Sequence, residues 1–270
     1  MIHYISGDDA ELAGAFMEAS ELEPASGARL QTLYNMYRGK TKHMDFWVQL
    51  DFRGQPSAAV SRYGGQLSVT HGPNSDLDEL EEFVRFIGGY SFISASPSLA
   101  VMLKDLGDAA NSYKMVRKAA LFPDDDFDLI AKPSLSDVFE LLCIADESFK
   151  ERSDRASWHV HTSHLVRHKF GYCVGIIRED GKLISTGGVY NTGISHGIIG
   201  GIATLPSERG HGYSGVVCRY LANQIILDRK VPALFSATES LAVYYESMGF
   251  EEKGRWCEIA VREVKADRRE

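Results

Sequence analysis

"LPSERGHGYSG", Leu205 to Gly215, is the stretch on which the reading of this 270-residue chain turns. It contains a literal G-x-G-x-x-G at Gly210, Gly212 and Gly215, the pattern of a dinucleotide-binding turn. In that fold the first glycine closes the strand-to-helix turn directly, and an acidic residue ending the next parallel strand holds the ribose. Glu239, after "ALFSAT", stands at a superficially suitable place. Three features oppose this reading. Pro206 to Arg209 separate strand from glycines, the preceding strands read as hairpins, and the motif lies too near the C-terminus for a doubly wound sheet. What remains is P-x-x-R-G-x-G at Pro206, Arg209, Gly210 and Gly212, after an apolar strand and at the head of an apolar helix. Backbone N–H groups converge there on a pyrophosphate without Cβ obstruction, the helix N-terminus adds favourable partial charge, and Arg209 adds a charge-assisted contact. On this reading Gly215 falls inside the helix. A second phosphate-loop candidate, Gly39-Lys40-Thr41, has Tyr34 where the Walker motif needs glycine.

Upstream of the loop lie "YCVGIIRED" (Tyr172 to Asp180), a D-G turn at Asp180 and Gly181, "KLISTGGVYN" (Lys182 to Asn191) and "HGIIGGIATL" (His196 to Leu205), all with strand composition. From Gly212 to about Lys230, Val216, Val217, Tyr220, Leu221, Ile225 and Ile226 recur at helical spacing. The first half has the same plan. After a helical start between Asp8 and Met36 come "DFWVQLD", "SAAVSRY" and "QLSVTHG", separated by Gly-containing turns, and then the helical "DLDELEEFVRFI" (Asp76 to Ile87). Duplication is clearest between "FISASPSLAVMLKDLG" (Phe92 to Gly107) and "LFSATESLAVYYESMG" (Leu234 to Gly249), where Ser98 corresponds to Ser240 and Gly107 to Gly249. Pro123 and the acidic run Asp124 to Asp126 interrupt the periodicity and suggest a boundary near Asp125, giving domains 1–125 and 126–270.

The composition, 44% hydrophobic and 24% charged, is that of an ordinary globular protein. A net charge of -8 argues against spreading over a nucleic-acid backbone. No apolar run approaches a membrane span, and "MIHYISGDDAELAGAF" lacks the basic and apolar regions of a signal peptide, so a cytoplasmic setting is expected. Cys143, Cys173, Cys218 and Cys257 are widely spaced, without C-x-x-C, and read as reduced core residues. His159, His161, His164 and His168 cluster in "WHVHTSHLVRHKF", but H-E-x-x-H and paired cysteines are absent, so no metal site is expected.

About 35 residues beyond the loop stands "YYESMGF", in which Tyr245 opens a Y-x-x-x-G-F and Gly249 ends a helix. At this point the sequence resembles the GNAT (Gcn5-related N-acetyltransferase) superfamily, whose acetyl-CoA loop reads R/Q-x-x-G-x-G/A. Here that pattern falls on Arg209, Gly212 and Ser214, the serine being a polar departure. The family's N-x-x-A-x-x-L-Y-x-x-x-G-F falls on Thr238, Leu241, Tyr244, Tyr245, Gly249 and Phe250, with Thr238 and Leu241 departing from Asn and Ala. The resemblance covers Phe127 to Val264, including the final strand "RWCEIAVRE", and Met1 to Asp125 only as a layout. No R-x-x-G-x-G precedes the helix at Asp76, and Leu103 stands where the second half has Tyr245, so the first half looks like a degenerate copy that supports fold, dimerisation or a substrate wall.

The resemblance implies an α/β (α+β) architecture: two similar GNAT-like domains, each with a mixed, mostly antiparallel sheet flanked by helices, the second one catalytic. It implies acetyl-CoA as cosubstrate and direct attack by a primary amine, from a small molecule or a protein, in a cleft where the strands at Ile198 to Leu205 and Ala233 to Thr238 splay apart. Backbone groups near Ala203, Thr204 and Leu205 would hold the pantetheine arm, with an N–H there stabilising the oxyanion. Gly210, His211, Gly212, Tyr213 and Ser214, with Arg209 and Thr238, complete the implied cofactor site, and Tyr245 is the implied general acid toward the departing thiolate. The base is not marked: the strand at Ile198 carries no carboxylate, which leaves His196, Glu239, His159, His161 or a water held by backbone groups and Tyr190. An acyl-CoA-binding regulatory protein with little or no catalysis is the alternative, and a homodimer is left open.

Overall fold

The computed structural model describes residues 1–6, 9–39, 44–118, 120–123 and 126–262. In chain order its first elements are β1 (Ile2–Tyr4), α1 (Ala10–Glu21), α2 (Pro24–Tyr37), β2 (Met44–Leu50), β3 (Pro56–Tyr63), β4 (Gln66–His71), α3 (Leu77–Ile87), β5 (Phe92–Ala95), α4 (Pro97–Met102) and β6 (Gly107–Arg117). After a 3-10 turn at Phe127–Leu129 come β7 (Ile130–Ala131), α5 (Leu135–Ala145), α6 (Glu147–Arg152), α7 (Arg155–Arg167), β8 (Tyr172–Ile177), β9 (Leu183–Thr192) and β10 (His196–Thr204). A second 3-10 turn, Pro206–Glu208, leads to α8 (Tyr213–Leu227), β11 (Val231–Ser236), α9 (Glu239–Glu246) and β12 (Phe250–Val261).

Contacts gather these elements into two compact units. The first holds Met1–Lys114, Ser236–Glu239 and β12 from Lys253; the second holds Met115–Phe235 and Ser240–Glu252, in each case among the described residues. These units differ from contiguous domains 1–125 and 126–270, because β6 and β12 each begin in one unit and end in the other. A strand's sequence pattern specifies which residues share a face, not which strand it will pair with. Asp124 and Asp125, like Lys40 and Thr41 of the rejected phosphate-loop candidate, lie outside the described residues.

In the first unit the strand order is β1-β2-β3-β4-β5-β12-β6. The expected meander forms: β2, β3 and β4 pair antiparallel, with Val60 opposite Trp47 and Val69. Alternation along β2 sends Phe46 and Val48 into a core with Phe16, Leu30 and Tyr34 of α1 and α2, and Trp47 into the opposite core with Leu80 and Val84 of α3 and Leu99 of α4. Both sheet faces are therefore covered by helices, as a strand run buried on two sides requires. β5 lies parallel to β4, and β12 runs antiparallel to β5 with Cys257 opposite Ala95.

The second unit has the order β6-β11-β10-β9-β8-β7. β7 to β10 are antiparallel, and β11 is parallel to β10. Gly187 lets α8 settle on β9: a Cβ there would stand 2.5 Å from Ile202 Cδ1 and 2.8 Å from Val217 Cγ1. The element order repeats the first unit's: three antiparallel strands, a helix, a strand parallel to the third, a short helix and a long strand. The paired glycines serve different ends. Gly107 opens β6 where a Cβ would meet the Ala260 carbonyl oxygen at 1.9 Å, whereas Gly249 adopts φ +75° in the turn after α9. No helix among the described residues is long and apolar enough to cross a membrane.

Candidate functional site

Two local features of the second unit define the site. The first is the opening between β10 and β11, which pair only from His196↔Val231 to Ile199↔Leu234 although β10 continues to Thr204. The partner strand β9 follows β10 further, but with an irregularity on each side of the parting point. The register slips between Ile198 and Ile199, opposite Asn191 and Val189, and again between Gly200 and Ala203, opposite Gly188 and Thr186. Tyr190 is the residue passed over on β9. Its ring lies beneath the bulge, where a Cβ on Gly200 would come within 3.4 Å of Tyr190 Cδ2 and one on Gly201 within 3.1 Å of its hydroxyl. Gly201 has φ +59°, so backbone conformation and lack of space both select glycine. On the other side Leu142 of α5 comes within 3.5 Å of that same Cβ position.

Beyond the bulge β10 pairs with β9 at Ala203↔Thr186 and Thr204↔Ser185, and the Leu205 N–H donates to the Ile184 carbonyl at 2.9 Å. Main-chain groups alternate sides along a strand, so those of Ala203 and Leu205 face β9 and those of Thr204 face the edge from which β11 has departed. Of the three residues expected to hold a pantetheine arm, Thr204 is thus the one whose main chain faces the opening. The Ala203 carbonyl already accepts from Ser185 Oγ at 3.1 Å.

The second feature is the loop that follows. Gly210 and Gly212 have φ +84° and +81°, and Gly212 is the N-cap of α8 with no side-chain hydrogen bond closing the helix end. Backbone bonding resumes with the N–H of Gly215 and of Val216, both donating to the Gly212 carbonyl. The amides of Gly210, His211, Gly212, Tyr213 and Ser214 have no acceptor among the described residues. Five amides and an uncapped helix dipole are the elements from which an anion site can be built. Gly215 lies within α8, as expected of a residue outside the phosphate loop. The corresponding helix of the first unit is closed instead: Asp76 Oδ1 accepts from the Glu79 N–H at 3.0 Å, and Asp78 and Glu79 occupy the first turn. Carboxylates at that end repel a phosphate. Leu103, in the position matching Tyr245, is fully buried in the core.

Around the loop, Arg209 is exposed, its guanidinium resting at 3.4 and 3.5 Å from the carbonyls of Thr204 and Ala145. His211 donates to the Glu208 carbonyl at 3.2 Å and stacks on Tyr213 with ring centroids 5.7 Å apart. Ser214, the departure from the family pattern, holds the Tyr244 hydroxyl at 3.0 Å. That bond gives Tyr244 a structural role and explains a polar residue where the family has a small one. Tyr245, next along α9, is only 8% exposed and packs edge-on to Phe250 at 6.0 Å. Burial pushes its phenol well above the ordinary range, and the neighbouring Cys218 thiol is pushed up to about 12 by the same cause.

Thr238 belongs to the first unit. It is exposed in the turn before α9, its carbonyl accepting from Ser236 Oγ at 2.9 Å. There Thr238 and Glu239 line a cleft of about 500 Å³ with Pro97, Asn111, Tyr113 and Arg255. Among the candidate bases, His196 opposes Val231 at the closed end of the strand pair, five residues from Gly201, and its Nδ1 is held by Ser195 Oγ at 2.9 Å. That placement removes it from the opening. His159 packs beside Phe139 and Trp158 on α7. Tyr190 is the polar side chain that the fold places under the bulge, and burial raises its phenol too, so at neutral pH it is a hydrogen-bonding group and not a base. Among the described residues no group of three or more His, Cys, Asp or Glu is arranged to hold a metal.

A scan against protein-family models matches residues 135–250 to the Acetyltransferase (GNAT) family. Those residues are a GNAT acetyltransferase domain. The matched span runs from α5 to the first residue of β12, and the domain it defines is an acyltransferase domain. A search of the curated proteins finds no match. Solved structures share the fold over nearly the whole chain. A tandem GNAT protein from the clavulanic acid biosynthesis pathway has a TM-score of 0.59 at 14% identity, covering 96% of this chain and 97% of its own. A Drosophila protein from a structural genomics programme gives 0.63 at 15% identity, with 96% and 98% covered, and a GCN5-related N-acetyltransferase from Kribbella flavida gives 0.57 at 15%, with 90% and 95% covered. These likenesses bear on the fold, which is the mixed, mostly antiparallel α/β arrangement expected from the sequence.

Proposed function

We propose that the GNAT domain transfers an acetyl group from acetyl-CoA to a primary amine, of a small molecule or a protein, by direct attack in a ternary complex. The observation that carries this is the conjunction, within one unit, of five unsatisfied loop amides at Gly210 to Ser214 with an open β10 edge one short turn away. The amides and Arg209 hold a pyrophosphate, and the main chain of Thr204 faces the arm that leads from it. Acetyl-CoA supplies the activated acyl group as a thioester. An N–H of the open edge stabilises the oxyanion that forms when the amine attacks, and Tyr245 donates a proton to the thiolate that leaves. A water held at the bulge by Tyr190 and backbone groups relays the proton lost by the amine. With its cysteines unpaired, the chain suits a cytoplasmic setting.

Binding without turnover has one observation in its favour: His196 stands at the closed end of the strand pair, and the Tyr190 phenol at the bulge is raised by burial. Titration calorimetry with acetyl-CoA, followed by a panel of amines read by thiol release, separates the two readings. Tight binding with no turnover for any amine would select the regulatory one. Arg209→Ala is expected to weaken acetyl-CoA by about tenfold, the loss of one charge-assisted contact at a partly solvated site. Unchanged affinity would remove the loop from the site.

A further inference from the structure

Helix α5 presents a second face that the acyl-transfer reading does not use. At 100° per residue, Glu140 and Ile144 stand about 200° around the helix from Leu142, the residue that meets the Gly201 bulge. A cavity of about 400 Å³ opens there among α5, α6 and the start of α7, its apolar walls being Ile144 on the far side and Phe139 and Cys143, which stand about 60° and about 100° around the helix from Leu142. Its floor is aromatic: Phe139 packs against Phe149 at 5.6 Å and Trp158 at 5.3 Å. Charge at the rim is asymmetric. Arg155 is paired with Glu140 at 3.0 Å and lies over the Phe139 ring, so these two charges cancel. Lys150 also lines the cavity and has no ion-pair partner among the described residues, so its ammonium is available at the rim although Asp146, Glu147 and Glu151 flank it in the sequence of α6.

We infer that this cavity binds a small apolar carboxylic acid, with its hydrocarbon or aromatic part against Phe139 and Ile144 and its carboxylate on Lys150. A cavity of this size with mainly apolar walls and few polar groups has the character of a ligand site, and a lone ammonium at the rim orients an anion. The site is distinct from the acyl-transfer opening and does not depend on the function proposed for it.

Cys143 supplies the test, since it lines the cavity and is the one cysteine of the four that is not buried. Its rate of labelling by an aromatic disulfide reagent is measured in the intact chain with 3-phenylpropionate, with the uncharged 3-phenylpropionamide and with acetyl-CoA. Millimolar 3-phenylpropionate slows labelling, the amide requires about tenfold more for equal protection, and Lys150→Gln brings the two within about twofold. Lys150 is exposed, so its substitution leaves the fold intact, and Lys150→Arg restores the preference for the acid. Acetyl-CoA leaves the rate unchanged. The inference is overturned by a lack of protection from either compound, by equal potency of acid and amide in the unaltered chain, by a preference that survives Lys150→Gln, or by protection from acetyl-CoA.

Discussion

Tyr245→Phe is expected to lower kcat by about a hundredfold while changing acetyl-CoA affinity by less than about twofold. The ring is buried and packs on Phe250, so phenylalanine keeps the packing and removes only the hydroxyl. A hydroxyl that donates to a departing thiolate acts where charge develops, in the transition state, and its loss therefore falls on kcat and not on ground-state binding. The pH dependence follows from the direction of the shift. Burial raises the phenol above its ordinary value of about 10, so the donor form persists through the range in which enzymes are assayed. The unaltered enzyme should accordingly show no alkaline loss of kcat from this group below about pH 10. Two measurements check the assignment, with the best acceptor amine at saturation: kcat for Tyr245→Phe, and the alkaline limb of the unaltered enzyme. A kcat within about twofold of the original would dismiss Tyr245 as the acid, and an alkaline limb near pH 8 that the substitution abolishes would instead overturn the burial-raised phenol.

Much of this architecture is legible in the residues because it is locally encoded. The start of α8 is fixed by Gly212 and the apolar recurrence behind it, and the turn after α9 by Gly249; both glycines adopt the positive φ that their positions imply. The repeated layout is visible because each unit spells the same order of short β-rich runs and helices. β6 is harder to see, since its first half, Gly-Asp-Ala-Ala-Asn-Ser from Gly107 to Ser112, lacks β-branched and aromatic residues and owes its extended state to neighbouring strands and not to propensity. The partner of β12 is not local at all: "RWCEIAVRE" reads as a strand, but its pairing with β5 joins residues about 160 positions apart. The site divides in the same way. Loop amides and helix start follow from sequence motif, whereas Tyr190 beneath the bulge, Leu142 beside it and the Ser214 to Tyr244 bond depend on register and tertiary packing. Gly200-Gly201 inside an otherwise apolar strand is the available sign that something approaches the backbone there.

That dipeptide carries the second large effect. Gly201→Val is expected to destabilise the chain by about 3 kcal/mol, lowering Tm by about 6–12 °C, and to reduce kcat/KM by tenfold or more in the protein that remains folded. Two costs combine. A β-branched residue at φ +59° is strained in the left-handed region, and its Cβ would come within 3.1 Å of Tyr190 Cε2 and hydroxyl, so the ring or the strand must move. Either movement shifts the register by which Thr204 is turned toward the opening, and misplacement of a main-chain donor weakens oxyanion stabilisation directly. The strain and the site can be separated with Gly181, which has φ +84° in the D-G turn between β8 and β9 and has nothing within 4 Å of the place a Cβ would take. Gly181→Val should therefore show the backbone cost alone, about 1–2 kcal/mol, with kcat/KM unchanged. If the two valine variants lose stability and activity equally, the bulge at Gly201 is an ordinary turn in the strand, and the assignment of the opening between β10 and β11 as the acyl-transfer cleft loses its structural basis.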